Sequence, residues 1–546
     1  MGPEGNLGGQ NVRLVLLETS GNQRYIFTTN RLRENVGASE LTYRSGTTWV
    51  TEALSELGGP SLPTGAALAE SLLDSGVNPP IGPGVVAEVI VAASGKAIIL
   101  VDSEKTGRAL ISAVTSRALR EAPGLDLTGV MSDEFELGRG IAASQMNLLH
   151  RRFEHARQMR TSPTMRYFRL PVVAECASSG LPAAGVETYR DRISPVSTVS
   201  AKKAAVRDAG YQRLAASIGL NAQLTELDQV AGVGAWIAVI HADGNGIGRL
   251  LIDFEKYAGD DDRAYLTTMR EFSVALERAT GQAVRDAIAS TAGKGAGPDG
   301  APLVQPLVLG GDDVTLVTDA KSALPLTVAF LRAFESRTAN EPVLASIAQA
   351  ALGRDHLTAA AGVAIVRKHY PFWAAYGLAE ELLQSAKDAS RKAAGHLNPG
   401  FSVFDFHALY DTTASELGAL RSQLRMADGE RLHGRPYVAS KLTGESDASG
   451  WIGQHAVELL ATALSGIARG GEDAPVPNSQ VHALRSALFM GAAAADAQFA
   501  LVRGSYPAAE KLLGSSESLF FDDGDGRATR LLDAVEISEF MKGGLL

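Results

Sequence analysis

Residues 306–320 read PLVLGGDDVTLVTDA, two short apolar runs separated by two glycines and two aspartates. Apolar runs of strand length on either side of a Gly-rich turn predict a β-hairpin. Gly and Asp are favoured in tight turns whether or not the carboxylates have a function. The hairpin therefore leaves two interpretations of Asp312 and Asp313 open: they are solvated turn residues, or they bind metal ions.

The composition indicates a folded protein with several domains. At roughly 100–200 residues per domain, a chain of 546 residues predicts about three or four. The chain is 45% apolar and 21% charged, and no apolar stretch approaches the ~20 residues of a membrane span, so we expect a cytoplasmic protein without a membrane partner. The net charge of −10 argues against broad binding along nucleic acid and favours a compact substrate.

The N-terminal leader and the single cysteine exclude some classes of protein. Residues 1–10, MGPEGNLGGQ, lack the basic start and apolar core of a signal peptide, and we interpret them as a disordered leader. Cys176 is the only cysteine, which excludes an internal disulfide and a multi-cysteine zinc site. The ten histidines show no ligand spacing. No zinc is expected.

The first part of the chain predicts the order β-α-β-β-α. VRLVLL at residues 12–17 predicts a strand, and helix-like spacing follows it. Two β-rich runs flank Ala93-Ser94-Gly95-Lys96, a hairpin signal, and residues 104–122 return to helical periodicity. We predict a first α/β domain over residues 11–130 and a helical intermediate domain over residues 131–225.

The same order starts again in the second half, which indicates a weak internal duplication. The apolar run 235–240 leads into HADGNGIG and a helix, and a long helix over 264–290 precedes the GGDD hairpin. Helix, strand, helix and strand then follow to FSVFDF at 401–406. We predict a second α/β domain over residues 226–410 and a helical C-terminal domain over 411–546.

Three aspartates of the second unit are candidates for one site. Asp243 lies where its apolar strand stops, and Gly244 and Gly246 would let a phosphate approach the backbone next to a helix N-terminus. Pairing of the hairpin beside this strand would bring Asp312 and Asp313 close to Asp243. Carboxylates that meet in this way repel one another unless cations neutralise them, and oxygen ligands select Mg²⁺ or Mn²⁺.

Two such ions about 3.5–4 Å apart could activate a hydroxyl and stabilise departing pyrophosphate, which is nucleotidyl transfer. Lys387, near the end of a following helix, could place its charge on the triphosphate. Alone, D-G-N-G is a common surface turn and Lys387 a solvated helix lysine. Their order within one predicted unit favours catalysis. His241 is a tempting base, but we take strand alternation to direct it to the opposite side and assign it no role.

VIHADGNGIG, LVLGGDDVTLV and AEELLQSAKDASRK resemble the palm domain shared by GGDEF-type cyclases and, more closely, by the large subunit of type III CRISPR effector complexes. LETSGNQRYIFTTNRLRENVGASELTY is similar to that family's first palm-like domain, and CASSGLPA to its segment between the palms, with the zinc cysteines reduced to Cys176. The resemblance covers most of residues 12–410. It implies an α/β (α+β) chain with two ferredoxin-like palm domains (βαββαβ), of which the second is catalytic.

The resemblance also implies an activity, since that family makes cyclic oligoadenylates from ATP. The chain is expected to be a nucleotidyltransferase and cyclase that uses two Mg²⁺ or Mn²⁺ ions and releases pyrophosphate, in antiviral signalling. The family's catalytic and metal-binding positions fall on three carboxylates: Asp243, Asp312 and Asp313. The expected nucleotide-binding residues are four glycines, an asparagine and a lysine: Gly244, Asn245, Gly246, Gly310, Gly311 and Lys387.

The first palm is expected to be inactive. Glu18 stands where the first carboxylate would be, and Ala93-Ser94-Gly95-Lys96 takes the place of GGDD. Its expected role is to wall the nucleotide site and hold the acceptor ATP. No His-Asp dipeptide occurs in the sequence and only the leader precedes the first palm, so we expect a form without the family's HD nuclease domain.

Two alternatives to this activity stay open. One is a non-catalytic scaffold that binds RNA or subunits of a CRISPR effector complex, and the other is a diguanylate-cyclase-like enzyme that acts on GTP. Retention of Asp243 with both hairpin aspartates favours the synthase. Its expected partners are ATP or other NTPs, RNA or CRISPR complex subunits as activators, and an effector that reads the cyclic product. A stand-alone synthase also stays open.

Overall fold

The computed structural model describes most of the chain, in these residues: 10–161, 165, 167, 169–189, 192–219, 229–230, 235–259, 261–293, 303–393, 400–410, 416–426, 429–442, 450–467, 475–515, 517–524, 526–541 and 545–546. The predicted leader, except Gln10, lies outside the described residues. So do the predicted domain boundaries at residues 225–226 and at residue 411.

The described strands, in chain order, are β1 Asn11–Ser20, β2 Ala87–Ala93, β3 Lys96–Val101, β4 Asp126–Met131, β5 Phe135–Glu136, β6 Gly185–Tyr189, β7 Arg192–Val196, β8 Trp236–Gly244, β9 Val304–Gly310, β10 Asp313–Asp319, β11 Ala359–Arg367, β12 Val403–Ala408, β13 Tyr437–Val438, β14 Phe521–Asp522 and β15 Arg527–Ala528.

The described helices are α1 Asn22–Ile26, α2 Leu32–Gly46, α3 Thr48–Glu56, α4 Ala67–Leu73, α5 Glu104–Glu121, α6 Ala142–Met159, α7 Thr198–Ala205, α8 Arg207–Ile218, α9 Ile247–Ile252, α10 Asp262–Ser290, α11 Ala323–Ala339, α12 Pro342–Leu352, α13 Phe372–Ala393, α14 Leu417–Gln423, α15 Gly450–Gln454, α16 Val457–Ile467, α17 Asn478–Leu488, α18 Ala492–Ser505, α19 Ala508–Leu513 and α20 Leu531–Ser538. None of these helices is long and apolar enough to cross a membrane.

The first sheet has the antiparallel order β2-β3-β1-β4, with β5 paired to the start of β1. Helix α2 connects β1 to β2, and α5 connects β3 to β4, which gives a ferredoxin-like βαββαβ unit. The strands are continuous apolar runs because helices cover both faces of the sheet. Helix α5 packs on Val15 and Leu17, whereas α6 lies over the opposite face, where its His150 contacts Lys96.

The second sheet repeats this order. Strands β9, β10, β8 and β11 are antiparallel neighbours, and β12 and β13 extend the sheet beyond β11. Strand β12 runs parallel to β11 and is reached through α13, as a parallel connection requires. Helix α13 lies very close to the sheet at Gly362, where a side chain would collide with the helix backbone at Ala379. The predicted fold class, α/β with two βαββαβ palms, is confirmed.

The segments outside the two palms are mainly helical in their described residues, but they also contain short strands, among them β5 and the β14–β15 pair. Hairpin β6–β7 lies within the segment predicted to be helical, and its Val, Thr and Ile residues favour strands. Strand β13, in the predicted helical C-terminal part, joins the second sheet. The buried Arg435 then ties that part together through ion pairs with Asp533 at 2.8 Å and Glu536 at 2.7 Å.

The two palms contact each other through α1 with the loop that follows it and through α13. The rings of Phe27 and Tyr376 stack with their centroids 3.9 Å apart, and the backbone N–H of Phe372 donates to Asn30 Oδ1 at 2.7 Å. The two hairpin turns also meet, because a methyl group on Gly310 would lie 3.1 Å from Ser94 Cβ. The first palm therefore forms one side of the region around the GGDD turn.

Candidate active site

Asp243 and Asp313 are neighbours across two strands of the second sheet. Strand β8 pairs with β10 in a register that places Ala242 opposite Val314, so Asp243 and Asp313 continue the same pairing at the end of the ladder. Directly opposed residues of an antiparallel pair project to the same face. Asp312 lies in the turn before Asp313, and the negative charges of Asp243 and Asp313 both act on its carboxylate. The sheet thus brings together the three aspartates that the sequence predicts.

The carboxylates of this cluster destabilise one another's charge. Burial, followed by the charge of Asp243, raises the pKa of Asp312 to about 7. Burial also raises the pKa of Asp313 to about 6, with a further contribution from Asp243 and an opposing one from His241. Asp313 Oδ1 is shielded from solvent and has no hydrogen-bond partner within the described residues. The site is therefore short of positive charge.

This donor set fits a divalent ion. Carboxylate oxygens are the ligands of Mg²⁺ and Mn²⁺, and a cation would satisfy the shielded Asp313 Oδ1 and relieve the repulsion between the acids. Within the described residues, no three Asp, Glu, His or Cys side chains already converge closely enough to hold an ion. The binding of two metal ions by Asp243, Asp312 and Asp313 stays a prediction, and it requires small movements of these side chains.

Lys387 already lies in the cluster. Its Nζ contacts Asp243 Oδ2 from α13, the helix that covers this face of the sheet. The side chain of Lys387 is 23% exposed and that of Asp243 is 33% exposed, so the pair is open to a ligand from the cleft. A cavity of about 610 Å³ near Tyr410 and Glu536 lies at the opposite end of this sheet and is separate from the cluster.

The glycines of the two motifs have different surroundings. Gly311 (φ 61°) and Gly246 (φ 71°) adopt left-handed conformations, in the turn and at the start of α9, that favour glycine. Gly310 faces Ser94 of the first palm. A methyl group on Gly244 would lie 2.8 Å from Asp312 Oδ2 and would also collide with Ile247. Gly244 thus provides the space that the Asp312 carboxylate occupies.

Asn245 is buried, and its amide is engaged within the protein. Its Nδ2 donates to Thr358 Oγ1 at 3.0 Å, and its backbone N–H donates to the Thr358 carbonyl at 2.8 Å. These bonds anchor the loop after β8 to the residue before β11. The predicted nucleotide contacts of Asn245 and of the four glycines stay predictions.

Substitution of Gly244 tests the packing of Asp312. We expect Gly244→Ala to push the Asp312 carboxylate out of place and to lower the rate of any reaction at this site by about 10²-fold, since a displacement near 1 Å has that effect. Gly248→Ala is the matched control, because a methyl group there has no heavy atom within 4 Å. Pyrophosphate release and thermal melting would be measured for both. Equal activities of the two variants would contradict this role of Gly244.

The pKa shifts predict how the metal-free chain responds to pH. In the folded chain the pKa of Asp312 is about 7 and that of Asp313 is about 6, so both side chains stay protonated well above pH 4. In the unfolded chain both lose their protons near the ordinary pKa of 3.8. Their contribution to stability is therefore present below pH 4 and is lost as the pH rises to about 7.

We expect the urea midpoint in EDTA to decline over this range more steeply for the wild type than for Asp312→Asn/Asp313→Asn. Mn²⁺ at pH 7.5 should raise the midpoint of the wild type alone. Parallel pH profiles of the two proteins would show that these carboxylates do not repel each other.

The first sheet carries an ion pair where the second carries two acids. Glu18 pairs with Lys96 across β1 and β3, in the register that Asp243 and Asp313 occupy in the second sheet. Lys96 Nζ lies 3.2 Å from Glu18 Oε2 and 3.3 Å from His150 Nε2. An internal cation thus replaces one of the two carboxylates, which supports the prediction that the first palm is inactive.

His241 was placed wrongly by the sequence interpretation. Residues two apart in a strand share a face, so His241 projects to the same face as Asp243. Its Nε2 lies 2.9 Å from Glu380 Oε2, and its Nδ1 lies 3.5 Å from Asp313 Oδ1. Burial lowers the pKa of His241, but the hydrogen bond to Glu380 and the charge of Asp313 raise it above its ordinary value overall. The i, i+2 spacing from Asp243 was the signal that could have identified it.

Glu380 was also missed, although it lies seven residues before Lys387 on the same helix. Seven residues are close to two helical turns, so both side chains face the sheet from α13. The hydrogen bond from His241 lowers the pKa of Glu380. The fold therefore consists of two related ferredoxin-like sheets, one of which has an acidic cluster at its hairpin and a lysine over that cluster.

Residues 236–395 match the family model described as Cas10/Cmr2, second palm domain. This segment is therefore similar to the Cas10/Cmr2 second palm, and over these residues the resemblance to the large subunit of type III CRISPR effector complexes is confirmed. No curated protein matches the chain.

Solved structures share the fold. A crystal structure of Csm1 in T. onnurineus is 14% identical, with 97% of this chain and 70% of that chain covered and a TM-score of 0.54. A Csm1–Csm4 cassette in complex with AMPPNP is 14% identical, with coverage of 99% and 71% and a TM-score of 0.52. An apo Csm1–Csm4 cassette is 15% identical, with 71% of this chain and 54% of that chain covered and a TM-score of 0.45. The chain thus spans about half the length of that relative.

Proposed function

We propose that this protein is a nucleotidyltransferase that joins ATP into cyclic oligoadenylates in type III CRISPR-like antiviral signalling. The observation that carries the proposal is the meeting of Asp243, Asp312 and Asp313 at the end of two adjacent strands, with Lys387 in contact with Asp243. These residues lie in the segment that matches the Cas10/Cmr2 second palm. A cassette of the same fold in complex with AMPPNP supports a nucleoside triphosphate as the ligand.

Each residue of the cluster has a role in this reaction. Asp243, Asp312 and Asp313 would hold two Mg²⁺ or Mn²⁺ ions. Such ions lower the pKa of an attacking hydroxyl and neutralise departing pyrophosphate. Asp243 would exchange its contact with Lys387 for a metal ion, which frees Lys387 to pair with the triphosphate. Gly311 and Gly246 leave the backbone accessible where the phosphates would lie.

The first palm would support the reaction without catalysing it. Its Ser94 lies against Gly310 of the GGDD turn, and Lys96 and His150 lie at the equivalent end of the first sheet. We propose that this palm walls the nucleotide site and holds the acceptor ATP. RNA or CRISPR complex subunits would activate the synthase, and an effector that binds the cyclic product would complete the signal.

An assay with each NTP tests the proposal. The purified chain is incubated with ATP, GTP, CTP or UTP and with Mg²⁺ or Mn²⁺, with and without candidate RNA activators, and the products are resolved by mass. Cyclic oligoadenylates and pyrophosphate from ATP are the expected result. Products from GTP alone would favour the diguanylate-cyclase-like alternative. A lack of pyrophosphate under every condition would favour the scaffold.

A further inference from the structure

We propose that His241 is a positioning residue for Asp313, and that the first palm holds it in place through Gln23 and Glu380. The inference rests on the proposed function, because Asp313 is one of the proposed metal ligands. It adds a connection between the two palms: four side chains that lead from helix α1 of the first palm to the acidic cluster of the second.

Both nitrogens of the His241 ring are engaged. Nε2 lies 2.9 Å from Glu380 Oε2 and 3.3 Å from the Tyr376 hydroxyl. Nδ1 lies 3.1 Å from Thr315 Oγ1 and 3.5 Å from Asp313 Oδ1. The ring is 3% exposed on the central strand β8. Because partners lie on both sides, the ring has one orientation, and that orientation directs Nδ1 towards Asp313.

Asp313 depends on this ring because no described side chain forms a hydrogen bond with its Oδ1. That oxygen is shielded from solvent, and His241 Nδ1 approaches it to 3.5 Å as a charge contact. Side chains that orient a metal ligand from behind typically change metal affinity or activity by about 10–100-fold when they are replaced. His241 lies beside Asp313 in this way and orients its carboxylate.

Glu380, the partner on the other side of the ring, is held from the first palm. Gln23 Nε2 donates to Glu380 Oε2 at 3.0 Å, and the Phe27 ring stacks on Tyr376. Gln23 belongs to α1, directly after the strand that carries Glu18. The palm that carries the Glu18–Lys96 ion pair at its own hairpin therefore orients a carboxylate of the other palm. Gln23 has no direct contact with Asp313 in the structure, so an effect of its substitution on Asp313 would have to pass through Glu380 and His241.

The test compares variants that remove one contact at a time. His241→Ala removes the contact with Asp313 and the contact with Glu380. The amide nitrogen of asparagine reaches the place of imidazole Nδ1, and that of glutamine reaches the place of Nε2. His241→Asn therefore keeps a nitrogen next to Thr315 and Asp313, and His241→Gln keeps the contact with Glu380. Gln23→Ala removes the link to the first palm. Gln349→Ala, at an exposed position of α12, is its matched control. The full chain is used throughout.

The readouts are the affinity for Mn²⁺ alone and kcat and KM for ATP, with thermal melting to verify the fold. We expect His241→Ala to weaken Mn²⁺ binding and lower kcat by about 10–100-fold, with KM changed less, and His241→Asn to recover more than His241→Gln. Gln23→Ala should lower kcat several-fold at an unchanged melting temperature, and Gln349→Ala should have no effect. These two surface variants keep the test decisive if the His241 variants do not fold.

Wild-type values of kcat and Mn²⁺ affinity in both His241→Ala and Gln23→Ala would overturn the inference even if the chain is an active synthase. A chain that binds Mn²⁺ but forms no product would refute the synthase. Weaker Mn²⁺ binding in His241→Ala would then still support the positioning role. A wild-type chain that neither binds Mn²⁺ nor forms product would refute both proposals.

Discussion

Replacement of Asp312 and Asp313 by alanine is expected to lower pyrophosphate release from ATP by at least ~10³-fold. Bound metal ions contribute several kcal/mol of transition-state stabilisation in such reactions, and each ~1.4 kcal/mol corresponds to a factor of ten. Both side chains lie in the cluster with Asp243, so their loss leaves one carboxylate to hold two ions. Product formation resolved by mass, together with Mn²⁺ binding, measures the effect.

A carboxylate outside the site provides the control for this variant. Asp286 forms an ion pair with Arg337 on the surface of α10, and Asp286→Ala should retain wild-type activity. The double variant should keep its fold, because removal of two mutually repelling acids relieves the metal-free state. Cyclic products that persist in the double variant would show that the reaction occurs elsewhere in the chain.

Replacement of Lys387 by alanine is expected to raise KM for ATP by about 10–100-fold. A hydrogen bond to a charged group contributes roughly 1.5–3 kcal/mol, which corresponds to that range. Lys387 contacts Asp243 without nucleotide, and the proposed function moves it to the triphosphate. The substitution should also weaken folding slightly, since Asp243 loses its positive partner. Steady-state kinetics over a range of ATP concentrations measures the first effect.

Lys387→Arg separates charge from shape, because arginine keeps the charge but not the compact ammonium group. A partial rescue is expected. Lys202→Ala, at an exposed position of α7, is the control for loss of a surface lysine. If Lys387→Ala lowered kcat at an unchanged KM, Lys387 would act in the chemical step and not in binding the triphosphate.

Local sequence patterns predicted most of the secondary structure around the site. The apolar run 235–240 and the Gly-Gly-Asp-Asp turn predicted β8 and the β9–β10 hairpin, and the structure has them at Trp236–Gly244 and Val304–Asp319. Substitution of the GGDD turn by Ala93-Ser94-Gly95-Lys96 was also visible in the sequence. Hairpin β6–β7 was missed because a short two-stranded ribbon within a helical segment gives a weak periodic signal.

The roles of individual residues were harder to predict. Nucleotide approach at Gly310 and Gly244 stays a prediction. The structure adds that Gly310 faces Ser94 of the other palm and that Gly244 leaves room for Asp312, which the sequence did not indicate. Asn245 satisfies its amide on Thr358. Such neighbours come from other parts of the chain, so local composition does not specify them.

The sequence by itself determined the two βαββ patterns, the position of the acidic turn and the loss of that turn in the first palm. Strand, turn and helix propensities act over a few residues and are therefore legible in the printed order. The tertiary structure alone decided that Lys387 contacts Asp243 across 144 residues and that Gln23 contacts Glu380 across 357. Those contacts depend on strand register and on the packing of one palm against the other, which are set by the whole core.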